Sequence, residues 1–553
     1  MARLRFGSAA AAPAPATPEK PGVSFVRAVD LAELSAETVG ASLARHARDT
    51  PERAALMWLT DIGMESMTWS ELYARSCGAA AWLCELNPHR GRVALVAPNS
   101  VEWVIAMYAC ALAGLAVVPI SPSVTDSEAV YLLSHARVAV VLAAESFGHQ
   151  QVLDRMSALR QALAPQPAVR DIAAVRAPVR HARAPQCTVR PDDEFLIQYT
   201  SGTTGQPKAA SLSHRVAVNI GRIYGRANAA QPGEQWLNPL PLHHVGASIT
   251  GLITTLSFGG GYTIVERFDP KMLLRAIRET SPTLIGLVPT MLIDLLAMPE
   301  VSPADFSCVR TIVGGATAVD PRLIDDVERR LNITFMVAYG QSEAPAMTSS
   351  SPGDLAFVRT HTLGRCLPGR DYMICDRAGR LVATGAVGEL CVRGPLIMSG
   401  YLRPDGSLDP AVDGAGWLHT GDLCSMDDDG VLTFRGRIRE VIVRGGLNVY
   451  PAEVEHALAA HETISEVAIF AAPDARLGER VVAAVLPAAD TQVDVAALAA
   501  FAEARLSRHK RPAEWSVVTR LPRTITGKVR KHPLRDWSKN GTLQVKCGAV
   551  STA

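Results

Sequence analysis

Residues 199 to 208, with the sequence YTSGTTGQPK, have the composition of a loop that binds phosphate. They follow an apolar stretch typical of a strand and precede a helical pattern that begins near Ser213. Glycine lets the backbone approach an anion closely, hydroxyls can donate hydrogen bonds, and lysine supplies positive charge. Gln206 and Pro207 separate Gly205 from the lysine, so the segment is not a Walker A loop. We predict a phosphate site formed by Thr200, Ser201, Gly202, Thr203, Thr204, Gly205 and Lys208.

A pair of adjacent histidines, His243 and His244, stands between Pro241 and Gly246. Adjacent residues on a strand point to opposite sides, so we do not expect the pair to share a metal ion. A packed loop histidine is the ordinary interpretation of either residue.

Composition limits the classes of partner. Apolar residues make up 48% and charged residues 20% of the 553 residues, a balance typical of a folded chain with several packed subdomains. Lysine and arginine total 55 against 54 for aspartate and glutamate, so no whole-chain charge attracts nucleic acid or an anionic membrane. The ten cysteines are scattered without a CxxC pair, which predicts reduced core thiols and a cytoplasmic protein.

The elements needed to position these residues follow an α/β pattern. From about residue 92, short β-branched runs alternate with helical patterns, which predicts mixed or parallel sheets flanked by helices. The apolar run from 108 to 120 is too short to span a bilayer and is predicted to be a buried helix leading into a strand. Residues 163 to 190, rich in Ala, Pro and Arg, are predicted to form a surface connection.

The domain organisation is predicted from changes in composition. We expect a disordered leader at 1–22, a large N-terminal domain at 23–438, a small α+β lid domain at 439–538 and a tail at 539–553.

Eight segments then resemble, in order, the motifs of the adenylate-forming superfamily of acyl-CoA synthetases, peptide-synthetase adenylation domains and firefly luciferase. Besides the loop at 199–208 they are PLHHVG at 241–246, VGGAT at 313–317, YGQSE at 339–343, GELCVRGP at 388–395, HTGDL at 419–423, FRGRIREVIVRGGLNVYPAEVE at 434–455 and PRTITGK at 522–528. Together they extend over about 330 residues, so the resemblance does not depend on one motif. It also implies a distorted barrel within the large domain.

The resemblance implies a role for each matched residue. Asp422 would bind both ribose hydroxyls, Arg437 the ribose or phosphate, and Glu343 with Thr203 the magnesium ion. Lys528 would bridge the substrate carboxylate and the α-phosphate. The segments around adenine would contribute Gly315, Ala316, Thr317, Tyr339, Gly340, Gln341 and Ser342.

The acyl side and the hinge are implied in the same way. His244 would be a gate beside the acyl pocket and the thiol tunnel, and the pocket would include His244, Val245, Gly314, Gly315 and Ala346. Arg439 would be the hinge, where the family usually has Asp or Lys, and Gly445 and Gly446 would line the coenzyme A tunnel.

The implied function is an ATP-dependent carboxylic acid–CoA ligase using ATP, Mg2+ and coenzyme A. Small, uncharged pocket residues and Val245, at the position where amino-acid-activating domains have an acid, favour a bulky or extended hydrophobic acid. Transfer to a carrier-protein thiol, or nucleotide binding without catalysis, are the alternatives. The partners expected are a small acid and CoA or a carrier protein, without nucleic acid or an integral membrane segment; a homodimer is one possible assembly.

Overall fold

The structure is a computed structural model that describes residues 22–27, 34–87, 89–176, 185, 187–200, 207–315, 321–489, 491–523 and 529–540. The side chain of Lys539 is also outside the description. Seven of the residues predicted at the site lie outside these ranges, together with Lys528: Ser201, Gly202, Thr203, Thr204, Gly205, Ala316 and Thr317. All but one residue of the predicted leader, and the tail beyond 540, are outside as well.

The described residues form α-helices and strands numbered here in chain order. The helices are α1 (Val39–Asp49), α2 (Trp69–Leu86), α3 (Val101–Ala113), α4 (Asp126–His135), α5 (Val152–Leu159), α6 (His214–Ala227), α7 (Val245–Ala247), α8 (Thr254–Phe258), α9 (Pro270–Thr280), α10 (Pro289–Leu296), α11 (Pro321–Leu331), α12 (Ala356–His361), α13 (Pro451–Ala459), α14 (Val495–Arg505) and α15 (Lys531–Lys539). The strands are β1 (Phe25–Val26), β2 (Ala54–Thr60), β3 (Gly63–Thr68), β4 (Arg92–Val96), β5 (Val117–Ile120), β6 (Val138–Ala143), β7 (Ser146–Phe147), β8 (Gln150–Gln151), β9 (Ala168–Asp171), β10 (Glu194–Thr200), β11 (Lys208–Ser213), β12 (Gln235–Asn238), β13 (Gly261–Ile264), β14 (Leu284–Gly286), β15 (Thr311–Gly315), β16 (Thr334–Tyr339), β17 (Thr348–Ser349), β18 (Arg365–Cys366), β19 (Asp371–Cys375), β20 (Gly388–Arg393), β21 (Gly400–Leu402), β22 (Leu408–Asp409), β23 (Leu418–Met426), β24 (Leu432–Arg437), β25 (Ile442–Arg444), β26 (Leu447–Val449), β27 (Ile464–Asp474), β28 (Gly478–Pro487) and β29 (Glu514–Val517).

Two large sheets form the centre of the N-terminal domain. One has the strand order β22-β21-β11-β10-β5-β4-β6-β9, and the other has the order β18-β17-β16-β15-β14-β12-β13-β2-β3. The largest apolar core includes residues of α2, α3 and α6 and of both sheets, and separate cores cover their other faces with α4 and α5 or with α9 to α11. The predicted mixed α/β fold with flanking helices is therefore confirmed.

The βαβ rhythm of the sequence corresponds to parallel strand pairs. β4 pairs in parallel with β5 and β6, and β14, β15 and β16 are parallel neighbours in the second sheet. The apolar run from 108 to 120 is divided between the buried end of α3 and β5, with Gly114 ending the helix in a left-handed conformation. Among the described helices, none combines the length and apolarity needed to cross a bilayer.

The segment from 163 to 190 departs from the prediction of a plain surface connection. Its described part contains β9, which pairs in parallel with β6 at the edge of the first sheet. The side chains of Val169, Ile172 and Val175 are buried. The sequence pattern did not predict this strand, because the segment has few apolar residues and a strand at the edge of a sheet needs only a few buried side chains.

A third sheet and a small C-terminal domain complete the chain. The third sheet is antiparallel, with the order β1-β19-β20-β23-β24, and the distorted barrel remains an expectation. The C-terminal domain has a sheet in the order β26-β25-β28-β27, with β29 beside β28. Helices α13 and α14 pack on one face of this sheet and α15 packs on the other.

Candidate active site

The predicted phosphate loop connects two strands of one hairpin. β10 and β11 are antiparallel, with Thr200 opposite Lys208, so the residues that flank the predicted loop are neighbours on two paired strands. The helix predicted near Ser213 is α6, whose first turn is capped by the Ser213 hydroxyl accepting from the N–H of Val216. A strand, β11, separates the loop from the helix, which the sequence pattern did not indicate.

A buried carboxylate, Asp422, is the centre of a polar cluster. Its side chain is 1% exposed, and its Oδ2 accepts hydrogen bonds from the hydroxyl of Tyr339 at 2.6 Å and from Nε2 of Gln341 at 2.7 Å. Nε of Arg437 lies 3.0 Å from Oδ1 as an ion pair, because β24 places Arg437 opposite Asp422 on β23. Among the described residues, Oδ1 receives no hydrogen bond, although it is buried. A buried acceptor in this state is suited to a hydroxyl donor from a ligand.

The hydroxyl of Tyr339 is held in its protonated, donating form. Burial, and next the charge of Asp422, raise the pKa of Tyr339 well above its ordinary value. The phenol therefore keeps its proton and fixes Oδ2, whereas Oδ1 lies beside the guanidinium of Arg437.

The YGQSE segment forms a tight turn after β16. The backbone N–H groups of Gln341 and Ala344 each donate to the other residue's carbonyl, which places Ser342 and Glu343 at the turn. Gly340 is required here, since a Cβ would lie 2.5 Å from the backbone nitrogen of Ala346.

Glu343 contacts a tyrosine that the sequence did not single out. Its Oε1 accepts a 2.7 Å hydrogen bond from the hydroxyl of Tyr401, and the ammonium of Lys208 lies 4.8 Å from the centre of the same ring. Tyr401 is on β21, which pairs with β11 and so lies beside the phosphate-loop hairpin. The carboxylate predicted for magnesium and the loop lysine are therefore joined through Tyr401. No spacing predicts this contact, because 58 residues separate Tyr401 from Glu343.

The predicted acyl-pocket residues belong to different elements of the large domain. Val245 and Ala346 are buried in the main core, and Gly315 lies opposite Ala338 on β16. A Cβ on Gly314 would lie 2.3 Å from the ring of Phe335, so packing in the second core requires this residue to be small. The place of Gly314 in an acyl pocket stays a prediction.

The two histidines do not lie on a strand, so the alternation used to separate them does not apply. His244 is the N-cap of α7, and its Nδ1 accepts from the N–H of Gly246 at 3.2 Å. Burial lowers the pKa of His243 to about 4, so this imidazole is neutral near pH 7. The backbone carbonyl of His243 accepts from Gln198 of β10, which fixes the segment against the first sheet.

The predicted hinge and tunnel residues follow β24 closely in the chain. Arg439 lies exposed in a 3-10 turn formed by Ile438–Glu440, directly after Arg437. Gly445 and Gly446 form the two-residue turn between β25 and β26 with φ values of 59° and 81°. Positive φ at both positions is the requirement of a type I′ turn and explains the glycine pair.

The chain is similar to known proteins over most of its length. Residues 43–402 match the model of the AMP-binding enzyme family, and residues 453–528 match that of the AMP-binding enzyme C-terminal domain. The chain is 31% identical to the Homo sapiens medium-chain acyl-CoA ligase ACSF2, mitochondrial, over 93% of this chain and 90% of the relative.

Two further relatives cover nearly the whole chain. A Mycobacterium tuberculosis CoA ligase, named for a propanoyl group carrying a 7a-methyl-1,5-dioxo-octahydro-1H-inden-4-yl ring system, is 33% identical over 90% of this chain and 98% of its own. The crystal structure of ATP-bound MatB from Rhodopseudomonas palustris superposes with a TM-score of 0.83 at 26% identity, covering 91% of this chain and 99% of that one.

Proposed function

Because the chain belongs to the AMP-binding enzyme family, we propose that it is an ATP-dependent carboxylic acid–CoA ligase that forms an acyl-AMP intermediate. The observation that carries the proposal is the buried carboxylate of Asp422, whose Oδ2 accepts hydrogen bonds from Tyr339 and Gln341 while Oδ1 lies 3.0 Å from Nε of Arg437 and receives no hydrogen bond from the described residues. Such a group suits the ribose hydroxyls of a nucleotide. The relatives named above as CoA ligases support coenzyme A as the thiol that receives the acyl group.

The proposed reaction has two steps. A carboxylate oxygen of the acid attacks the α-phosphorus of ATP, a P–O bond forms, and the bond to the bridging oxygen breaks to release pyrophosphate. The thiol of coenzyme A then attacks the acyl carbonyl, a C–S bond forms, the C–O bond to AMP breaks, and the thiol proton is released. Neither step needs a protein nucleophile, so positioning and charge stabilisation carry the catalysis.

The chain's own residues supply the positioning. Asp422 and Arg437 hold the ribose, Tyr339 with Gly315 encloses the adenine, and Lys208 with the hairpin loop binds the phosphates. Lys528, outside the described residues, opposes the charge that accumulates at the α-phosphate.

The magnesium ion is assigned to Glu343. Its carboxylate is half-buried, and Tyr401 fixes one oxygen while a carboxylate offers further acceptor positions, so the group fits a hard cation. When bound, the ion neutralises phosphate charge. Thr203 is proposed as a second ligand and lies outside the described residues.

The acid is proposed to be bulky or extended and hydrophobic. Val245, Ala346 and Gly315 offer no charge to a substrate tail, and the relatives include enzymes named for a medium-chain acid and for a bicyclic propanoic acid. His244, at the start of α7, is proposed as the gate between this pocket and the thiol tunnel.

The decisive experiment measures pyrophosphate release across a library of acids, with product identification by mass spectrometry. We expect release with medium-chain or cyclic hydrophobic acids and an acyl-CoA product when CoA is present. Acetate as the best substrate by kcat/KM would contradict the acid class. If the acyl group were transferred to carrier proteins and not to CoA, a carrier-protein thiol would replace CoA as the proposed acyl acceptor. ATP binding without turnover across the library would contradict catalysis.

Two finer assignments belong to the same proposal. The protein is proposed to act in the cytoplasm, because its cysteines include six buried thiols among the described residues and none in a disulfide. A homodimer is proposed as its assembly, which sedimentation of the purified chain tests.

A further inference from the structure

Four side chains with metal-binding atoms lie together on the antiparallel third sheet. Cys375 on β19 is opposite Glu389 on β20, and Cys391 on β20 is opposite His419 on β23. Glu389 and Cys391 are two residues apart on one strand, so their side chains share a face of the sheet. The register of three strands therefore brings two thiols, an imidazole and a carboxylate to one place.

The donor atoms are separated by distances close to those of a tetrahedral zinc site. The sulfurs of Cys375 and Cys391 are 3.5 Å apart, the Cys391 sulfur is 3.4 Å from Nδ1 of His419, and that nitrogen is 2.8 Å from Oε2 of Glu389. All four atoms lie within 4.8 Å of one another. Tetrahedral zinc with ordinary bond lengths requires about 3.8 Å between two sulfurs, about 3.6 Å between sulfur and nitrogen and about 3.4 Å between nitrogen and oxygen. Outward shifts of a few tenths of an ångström suffice.

The groups behind these donors are those expected of a metal site. Nε2 of His419 lies 3.5 Å from Oδ2 of Asp413, the carboxylate–histidine arrangement that fixes which ring nitrogen faces a metal. Asp413 is itself held, because its Oδ1 accepts from the backbone N–H groups of Ala415 and Trp417. Glu389 uses Oε1 to accept from the N–H of Gly421, which directs Oε2 toward His419.

The cluster also has an entry path. The two cysteines are buried, at 1% and 0% exposure, whereas the side chain of His419 is 41% exposed. An ion can therefore enter from the histidine side and reach the sulfurs. Among the described residues, no hydrogen bond or ion pair joins any of the four donors to Asp422 or Glu343, so the cluster uses neither of these proposed nucleotide and magnesium ligands.

We propose that Cys375, Cys391, His419 and Glu389 bind one Zn2+ ion. Thiolate and imidazole ligands select zinc over magnesium or calcium, which prefer all-oxygen sites. Binding releases the two thiol protons and the proton on Nδ1 of His419, while the proton on Nε2 faces Asp413. The ion joins β19, β20 and β23, and Glu389 connects it to Gly421, the residue before Asp422.

The test uses the full chain without an affinity tag, reduced, mixed with zinc chloride and passed through gel filtration in metal-free buffer. Zinc per chain is measured by mass spectrometry, and Co2+ substitution is followed by absorption. We expect one zinc per chain, and Co2+ bands of a tetrahedral site with thiolate charge transfer.

Variants separate this site from adventitious binding. Cys375→Ala and His419→Gln should each lose the ion, and Asp413→Asn should weaken zinc affinity about 10- to 100-fold. Cys77→Ala, which removes another buried thiol on α2, is the matched control and should retain zinc. His419 is partly exposed, so its variant serves if Cys375→Ala fails to fold.

Three outcomes would overturn the proposal. The first is a wild-type chain that retains no zinc, and the second is retained zinc that is insensitive to both Cys375→Ala and His419→Gln. The third is a Cys375–Cys391 disulfide in the protein as purified, with no zinc bound after reduction.

Discussion

The hydroxyl of Tyr339 donates a 2.6 Å hydrogen bond to Oδ2 of Asp422, across 83 residues of sequence. Together with Gln341, it fixes Oδ2 of a buried carboxylate whose other oxygen, Oδ1, lies 3.0 Å from Nε of Arg437. A rigid, charged acceptor at this position is the physical basis for expecting nucleotide binding.

Asp422→Asn should lower kcat/KM for ATP about 10- to 100-fold. The amide loses the charge that strengthens hydrogen bonds to ribose hydroxyls, each worth about 1.5–3 kcal/mol. Steady-state kinetics at saturating acid measure the effect, and Asp428→Asn, an exposed carboxylate just after β23, is the control. Equal kinetics for Asp422→Asn and wild type would remove Asp422 from the nucleotide site.

Tyr401→Phe should reduce kcat/KM for ATP about 3- to 10-fold, because Glu343 loses a hydrogen bond worth up to about 1.5 kcal/mol. Tyr401→Leu should reduce it about 2- to 5-fold further, since Lys208 also loses its contact with the ring, worth about 0.5–1 kcal/mol. The comparison is made at several magnesium concentrations, with Tyr73→Phe on α2 as the control. Identical values for the Phe and Leu variants would show that the ring contact has no role.

Lys528→Ala should reduce acid-dependent pyrophosphate release about 100- to 1000-fold, because a positive charge opposite the α-phosphate is lost. Conversion of preformed acyl-AMP and CoA to thioester should remain near the wild-type rate. Arg520→Ala, an exposed cation of the same domain, should leave both steps intact. Equal loss in both half-reactions would contradict a role of Lys528 that is confined to the adenylation step.

Gly446→Leu should reduce thioester formation about 10- to 100-fold while ATP–pyrophosphate exchange continues, because the side chain would project into the predicted CoA tunnel. Gly385→Leu is the matched control. Both glycines have similar φ values, 81° and 77°, and a Cβ on either meets no atom within 4 Å. Both variants should therefore share the same backbone strain. If Gly385→Leu reduced thioester formation as much as Gly446→Leu, the loss would be due to backbone strain and not to a blocked tunnel.

Lys531 ties α15 to the turn that contains Arg439. Its ammonium lies 2.8 Å from Glu455 and 3.2 Å from Glu440, and its side chain is 16% exposed. Lys531→Met should destabilise the protein by about 1–3 kcal/mol, because two partly buried carboxylates lose their partner. Urea unfolding at pH 7 measures the change, with the exposed Lys271→Met as the control.

The pH dependence of this effect has a defined sign. Burial raises the pKa of Glu440, but the charges of Lys531 and Arg437 outweigh it and lower the pKa below its ordinary value of 4.5. A lowered carboxylate pKa contributes stability above pH 4.5, and that contribution is lost as the pH falls through the folded-state pKa. Burial lowers the pKa of Lys531, but Glu455 and Glu440 raise it above 10.5, so its contribution persists below pH 10.5 and is lost above. The difference between Lys531→Met and wild type should therefore be smaller at pH 4 than at pH 7, and a difference that grows on acidification would contradict the ion-pair account.

Sequence alone determined the local chemistry and the order of the elements. The βαβ runs predicted β4, β5 and β6, and the ordered motifs predicted the family, because periodicity and short motifs are properties of neighbouring residues. The edge strand β9 was not predicted, and the strand alternation applied to His243 and His244 does not hold, since both depend on contacts with distant residues.

Tertiary structure decided which distant residues meet. Tyr401 reaches Glu343 because β21 pairs with β11, and the sequence carries no periodic trace of that pairing. The cysteines lacked any zinc-finger spacing, yet strand register places Cys375, Cys391 and His419 within reach of one ion. The sequence gives the type of each side chain directly. The partners of that side chain depend on strand register and packing, and both of these depend on the whole chain.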